Sequence, residues 1–136
     1  MKLRLFHCFL LPLSFMVSLP SNASNEKTLE ECKSKYSELA ELSQCLDIVK
    51  RNVDKELQTW INNQTFILEE HALETGRRSA LEMFKRSQRN FITFRTNNCR
   101  WQYLYISPDV NAANAFKECY IKNTQRRIKE LHELSM

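Results

Sequence analysis

Four cysteines, two arginines and one glutamine carry the tightest chemical constraints in this chain. Cys32, Cys45, Cys99 and Cys119 are separated in pairs by 12 and 19 intervening residues. A zinc site uses close Cys-x-x-Cys or Cys/His clusters, and no histidine pair stands near these cysteines, so the spacing favours disulfides over metal. The arginines pose a different problem. On a helical wheel of residues 80–99, Ala80, Leu81, Phe84, Phe91, Ile92 and Cys99 form one apolar arc, and Gln88 and Arg95 fall inside it. Residues 112–134 gather Ala112, Ala113, Phe116, Cys119, Tyr120, Leu131 and Leu134 into a second arc, with Asn123 and Arg127 near its middle. An unpaired guanidinium in a core costs several kcal/mol of lost hydration. Gln88, Arg95 and Arg127 are therefore expected to form a structural polar core, each arginine meeting carbonyls, a carboxylate or Gln88.

Catalytic chemistry finds no support. His71 and His132 are lone residues on helix faces, no pair of carboxylates can be assigned to acid and base roles, and cysteines committed to bridges offer no nucleophile. No catalytic residue, metal site or cofactor is expected.

The elements that must position these residues follow from the ends of the chain inward. Lys2 and Arg4 open a basic start, Leu5 to Leu19 form an apolar stretch, and Ser21-Asn22-Ala23 reads as small-x-small before a cut at Ser24. Residues 1–23 are thus expected to be a secretory signal peptide, too short for a membrane span. Cys8 leaves with it. The remaining four cysteines, an even number in an exported chain, imply two disulfides in an oxidising compartment, periplasmic or extracellular, with no stable membrane anchor after cleavage. Residues 24–136 are about the size of one domain. A single glycine, and three prolines of which two lie in the leader, leave little material for hairpin turns. The expected fold is all-α, a small antiparallel helical bundle stapled by two disulfides.

Thr28 and Glu31 make a capping box that opens a short helix through Leu29, Cys32, Tyr36 and Leu39. Ser43 is the expected cap of a longer helix through Leu46, Val49, Val53, Leu57, Trp60 and Ile67 or Leu68, ended by Gly76. Ser79 with Glu82 forms another capping box, starting a third helix to about Tyr103. Ser107-Pro108-Asp109 breaks it, and a last helix runs from about Asn111 to Leu134. In one continuous helix Cys32 and Cys45 would stand about 20 Å apart, so their pairing requires the chain to bend back before Cys45. Of the three connectivities, Cys32 to Cys45 and Cys99 to Cys119 are local closures that need the least rearrangement.

The pattern Cys32, Cys45-Leu46, Asp54-x-x-Leu57, Leu81-x-x-Phe84-x-x-x-Gln88-Arg89-x-Phe91-x-x-Phe94-Arg95-x-x-x-Cys99, Cys119 and Thr124-x-x-Arg127-x-x-x-Leu131 resembles the LprI-type lysozyme inhibitors. These are small exported bacterial helical proteins, and the resemblance covers essentially the whole chain after the leader. It implies a protein that binds lysozyme, or another protein, and performs no reaction of its own.

Charge sharpens that expectation. Residues 24–76 carry 6 Lys and Arg against 11 Asp and Glu, whereas residues 77–136 carry 12 against 5, so a chain of modest net charge is bipolar. Animal-type lysozymes are strongly basic, and an acidic face built from Glu30, Glu31, Glu38, Glu41, Glu69, Glu70 and Glu74 would steer one in. The alternative is an envelope-directed or host-directed module that uses the basic half, with Arg77, Arg78, Lys85, Arg86, Arg89, Arg100 and Arg126, to meet anionic lipid or cell-wall polymer. Nucleic acid is not expected outside the cytoplasm.

Overall fold

The computed structural model describes residues 27–134; the expected signal peptide lies outside them. Four helices follow in order: α1 (Leu29–Lys35), α2 (Leu39–Thr75), α3 (Ser79–Ile106) and α4 (Ala112–Leu134).

α1 begins as its sequence dictates. The Thr28 hydroxyl accepts the Glu31 amide at 3.1 Å, and the Glu31 carboxylate accepts the Thr28 amide at 2.8 Å, so two orphan donors are satisfied reciprocally. Seven residues are too few for a helix to be stable alone. α1 is held by burying Leu29 and Cys32, and by the Cys32–Cys45 disulfide, whose Cα atoms are 5.7 Å apart. The required bend lies at Tyr36, which is extended, and the chain re-enters a helix at Leu39. Ser43 is therefore not the cap of α2. It sits in the second turn, and Glu38 stands at the start with no side-chain cap bond. Reversal must be complete within three residues if Cys45, two turns into α2, is to meet Cys32.

α2 runs unbroken for 37 residues, about 55 Å. Gly76, at φ 69, ends it in the left-handed region where a side chain would be strained, and its amide bonds the Ala72 carbonyl at 3.0 Å. α3 starts at Ser79 as expected, but not through a capping box: Arg78 takes the cap position and makes no side-chain bond there. Thr75 supplies the turn instead, its hydroxyl accepting the Arg77 amide at 3.2 Å. α3 continues to Ile106, three residues further than the sequence suggests, before Ser107-Pro108 ends it.

Cross-helix pairs fix the topology. Lys85 meets Glu69 and Arg95 meets Asp54, so α3 runs antiparallel to α2. Cys99 bonds Cys119 and Arg95 meets Thr124, so α4 runs antiparallel to α3 and therefore parallel to α2. α4 lies along the groove between the other two. The core joins Leu29, Leu46, Val49, Val53 and Leu57 to Ile121, Ile128 and Leu131, with Phe84 and Phe91 of α3 packed against it. Trp60 closes this core edge-on against His132, ring centres 4.9 Å apart. Beyond Ile61, α2 runs on for another 14 residues, about 21 Å, paired chiefly with the start of α3. Within this projecting hairpin Leu81 is buried, whereas Phe66, Ile67, Leu73 and Met83 are exposed. Of the two candidates for the inward position, Leu68 is half-buried and Ile67 faces out.

Candidate functional site

The inward arginines occupy two separate polar clusters. Arg95, in the middle of α3, is 4 % exposed. Its Nη1 donates to Asp54 Oδ1 of α2 at 3.0 Å and to Thr124 Oγ1 of α4 at 2.8 Å, tying three helices through one nitrogen. Thr124 relays the contact by donating to the Tyr120 carbonyl at 2.8 Å. The Tyr120 ring lies 3.8 Å under the Arg95 guanidinium and 4.3 Å from the Lys50 ammonium, and its hydroxyl donates to Asp54 at 2.9 Å. A cation over an aromatic face is attracted by the ring's quadrupole. The cluster thus neutralises Arg95 with one carboxylate and two ring faces, Tyr120 and, at 5.5 Å, Phe91.

Arg127 is less deeply placed. Its Nε donates to Gln88 Oε1 at 3.2 Å, its Nη2 to Ser87 Oγ at 3.3 Å, and its Nη1 reaches out to Glu130 at 2.8 Å. Gln88 is buried and receives only Arg127; it does not serve Arg95, and neither arginine uses a backbone carbonyl. Separate acceptors keep the two cations from sharing one site, where they would repel. A third contact, Lys117 to Asp47 at 2.7 Å and to the Ser43 hydroxyl at 2.7 Å, fastens the start of α4 to the start of α2. Lys33 bonds Glu118 at 2.8 Å and fastens α1.

Burial pushes the Tyr120 hydroxyl up to about 12; the Arg95 charge opposes this and the hydrogen bond to Asp54 adds to it. The group's folded value therefore lies above its free value of 10.0. Its contribution to stability is intact below the free value and is lost as pH rises through the folded one. An alkaline titration followed by phenolate absorbance should show one tyrosine ionising near pH 12, and thermal stability should fall between about pH 10 and 12. Tyr120→Phe should abolish that late step.

The seven acidic candidates are all exposed but do not form one face. Glu30, Glu31, Glu38 and Glu41 cluster around α1 and the start of α2, whereas Glu69, Glu70 and Glu74 lie on the projecting hairpin. About 42 Å of helix separates Glu41 from Glu69. Glu31 is engaged in its capping box and Glu69 with Lys85, leaving Glu30, Glu38 and Glu41 in the first group and Glu70 and Glu74 in the second without an ion pair among the described residues. Glu70 and Glu74 flank exposed Phe66 and Leu73, and α2 from Glu56 to Thr75 holds no lysine or arginine. Among the described residues no group of three or more His, Cys, Asp or Glu side chains is placed to hold a metal, and no helix is long and apolar enough to cross a membrane.

Two staples, a charged layer across three helices and lone histidines leave an arrangement suited to holding a surface rigid. The family model described as lysozyme inhibitor LprI matches residues 30–131. The chain belongs to the LprI family. That match contains all four cysteines, Gln88, Arg95 and Arg127, and it also contains Asp54, Tyr120 and Thr124. Comparison with curated proteins and with solved structures yields no match. Asp54 and Thr124 stand in the sequence pattern that resembles this family, yet their role as the acceptors of Arg95 is visible only in three dimensions. One signal was available: Asp54 lies next to Val53 and one turn before Leu57, at the edge of the α2 arc that faces α3 and α4.

Proposed function

We propose that this LprI-family protein is exported and binds and inhibits lysozyme through a protein–protein interface, with no catalysis of its own. The family match over residues 30–131 carries this reading, and the two disulfides support an oxidising, extracytoplasmic compartment. The acidic side chains are the proposed contacts. Of their two groups, the one on the projecting hairpin combines unpaired carboxylates with exposed apolar anchors, Phe66 and Leu73, the mixture that gives both steering and desolvated contact.

Lysis of a cell-wall suspension by lysozyme, measured at rising concentrations of the oxidised protein, tests the proposal. Inhibition that saturates and weakens with added salt is expected, since exposed charges are screened over about 8–10 Å. Glu69→Lys, Glu70→Lys and Glu74→Lys together should weaken inhibition about tenfold or more, chiefly through slower association. No inhibition of any lysozyme type at large molar excess would overturn the proposal.

A further inference from the structure

On the solvent side of α3 a second exposed apolar surface is bordered by cations rather than by the carboxylates of α2. Asn90, Thr93, Phe94, Asn97, Asn98 and Trp101 line a shallow trough along the helix. Phe94 and Trp101 are each 57 % exposed, and Leu104 and Tyr105 extend the stripe toward the end of α3 at 60 % and 85 %. Exposed aromatic side chains gathered on one helix face are uncommon on a free surface and mark contact sites. Phe94 and Trp101 are seven residues apart, so they share a face and stand two turns, about 10.5 Å, apart along the axis. Between them the stripe is polar but uncharged. The Asn90 and Asn97 amides have no partner among the described residues, and Asn98 accepts the Trp101 indole N–H at 3.2 Å, which fixes the angle of the ring.

The borders of this stripe are cationic. Arg86, Arg89 and Arg100 lie along one side on α3. Across the α3–α4 seam, where Asn98 lines a second trough, stand Lys122 and Arg126. Arg86, Arg89, Arg100 and Arg126 have no ion-pair partner among the described residues.

We propose that this face of α3 binds a carboxylate-bearing glycan chain, Phe94 and Trp101 stacking on sugar rings while Asn97 between them and Asn90 one turn before Phe94 hydrogen-bond the hydroxyls and the flanking arginines take the carboxylates. A pyranose ring presents polarised C–H groups on one face, which the negative face of an aromatic quadrupole attracts. Its rim carries hydroxyls that both donate and accept, as a free asparagine amide does. Two rings separated by two helical turns and by amides match a chain in which apolar faces and hydroxyls alternate at the scale of a disaccharide. Charge complementarity selects an anionic glycan, because a guanidinium binds a carboxylate through two parallel bonds. The same features disfavour other occupants. A lipid bilayer would bury Asn90, Thr93 and Asn97 without partners, and a second copy docked through this face would bring its own arginines against these.

Nuclear magnetic resonance titration of the oxidised, leader-free protein tests the proposal with two probes. One is soluble glycan strands released from purified peptidoglycan, which carry carboxylates, and the other is neutral chitohexaose. Amide shifts confined to α3 from Arg86 to Tyr105 and its α4 border are expected, with the carboxylated strands binding more tightly and losing affinity as salt rises. Trp101→Ala should weaken both probes about tenfold or more. Both Trp101 and Asn97 are exposed, so Asn97→Ala provides a second variant, and an unchanged melting temperature confirms that either loss is one of binding. Arg86→Ala with Arg100→Ala should weaken only the carboxylated strands. Absence of shifts at millimolar glycan, shifts centred on the α2–α3 hairpin, or equal binding by Trp101→Ala would overturn the proposal. So would sedimentation showing a dimer lost in Trp101→Ala, or anionic vesicles bound through Trp101 by a protein that ignores both glycans.

Discussion

Replacing Arg95 with alanine will destabilise the protein by about 2–4 kcal/mol and lower its melting temperature by more than about 10 °C. The side chain is 4 % exposed, so the substitution leaves a cavity among Phe91, Tyr120 and Thr124 and removes the bond that ties α2 to α3 and α4. Asp54→Ala should cost more, about 3–5 kcal/mol, because it leaves a buried cation with one neutral acceptor. Asp54 Oδ1 also accepts the Tyr120 hydroxyl, so that donor is stranded too. The double variant should lose clearly less than the sum of the two, since the worst term in each single variant is the partner left behind. Arg95→Lys should fall between wild type and alanine: only Nη1 makes hydrogen bonds, and a lysine keeps the charge but not the planar contact with Tyr120. Lysozyme binding per folded molecule should be nearly unchanged in all of them. An unaltered melting temperature with binding abolished would show instead that Arg95 is a contact residue.

Removing the Cys99–Cys119 bridge by paired alanine substitution should cost about 3 kcal/mol through the entropy of the closed loop. The loss is expected to be global, because α3 and α4 together carry most of the polar layer and half of the buried apolar residues. Asn123 adds to it: its amide lies against both bridge sulfurs, at 3.6 Å and 3.4 Å, and would lose those contacts. The Cys32–Cys45 bridge closes a loop of similar length, yet its removal should have a different signature. α1 has seven residues, and the bridge, Leu29 and the Lys33–Glu118 pair hold it. Without the bridge it should detach locally. Hydrogen exchange would then show lost protection in residues 29–35 and at the start of α2, with the amides of α3 and α4 still protected. Uniform loss of protection in both variants would overturn this distinction.

Much of the candidate site was legible because it is encoded locally. Arg95 falls inside an apolar arc by helical period alone, and a buried guanidinium must be paired. The identity of the partner was not legible. Gln88 stands on the same helix as Arg95, two turns away, and looks the natural acceptor. In the packed molecule it turns to Arg127, while Asp54 arrives from α2, 41 positions earlier in the chain. The acidic residues show the reverse case. As a composition they suggest one face, but the unbroken length of α2 carries them to opposite ends of the molecule.

The sequence by itself determined the helical class, the capping box at Thr28, the left-handed stop at Gly76, the break at Pro108 and the two local disulfides. The caps and breaks depend on residues a few positions apart, where backbone geometry and hydrogen-bond valence leave little choice, and the disulfides on closures of 13 and 20 positions that join neighbouring helices. Only the tertiary structure decided where α2 begins, which acceptor each arginine takes, and that the hairpin beyond Ile61 outruns α4. Those outcomes depend on which surfaces can be desolvated together. Ser43 is an adequate helix cap in isolation, yet its hydroxyl is worth more as an acceptor for Lys117 once Cys45 must reach Cys32 and α4 lies alongside. Local preference of a few tenths of a kcal/mol to about one yields there to the burial of charged and apolar groups, which costs or contributes several.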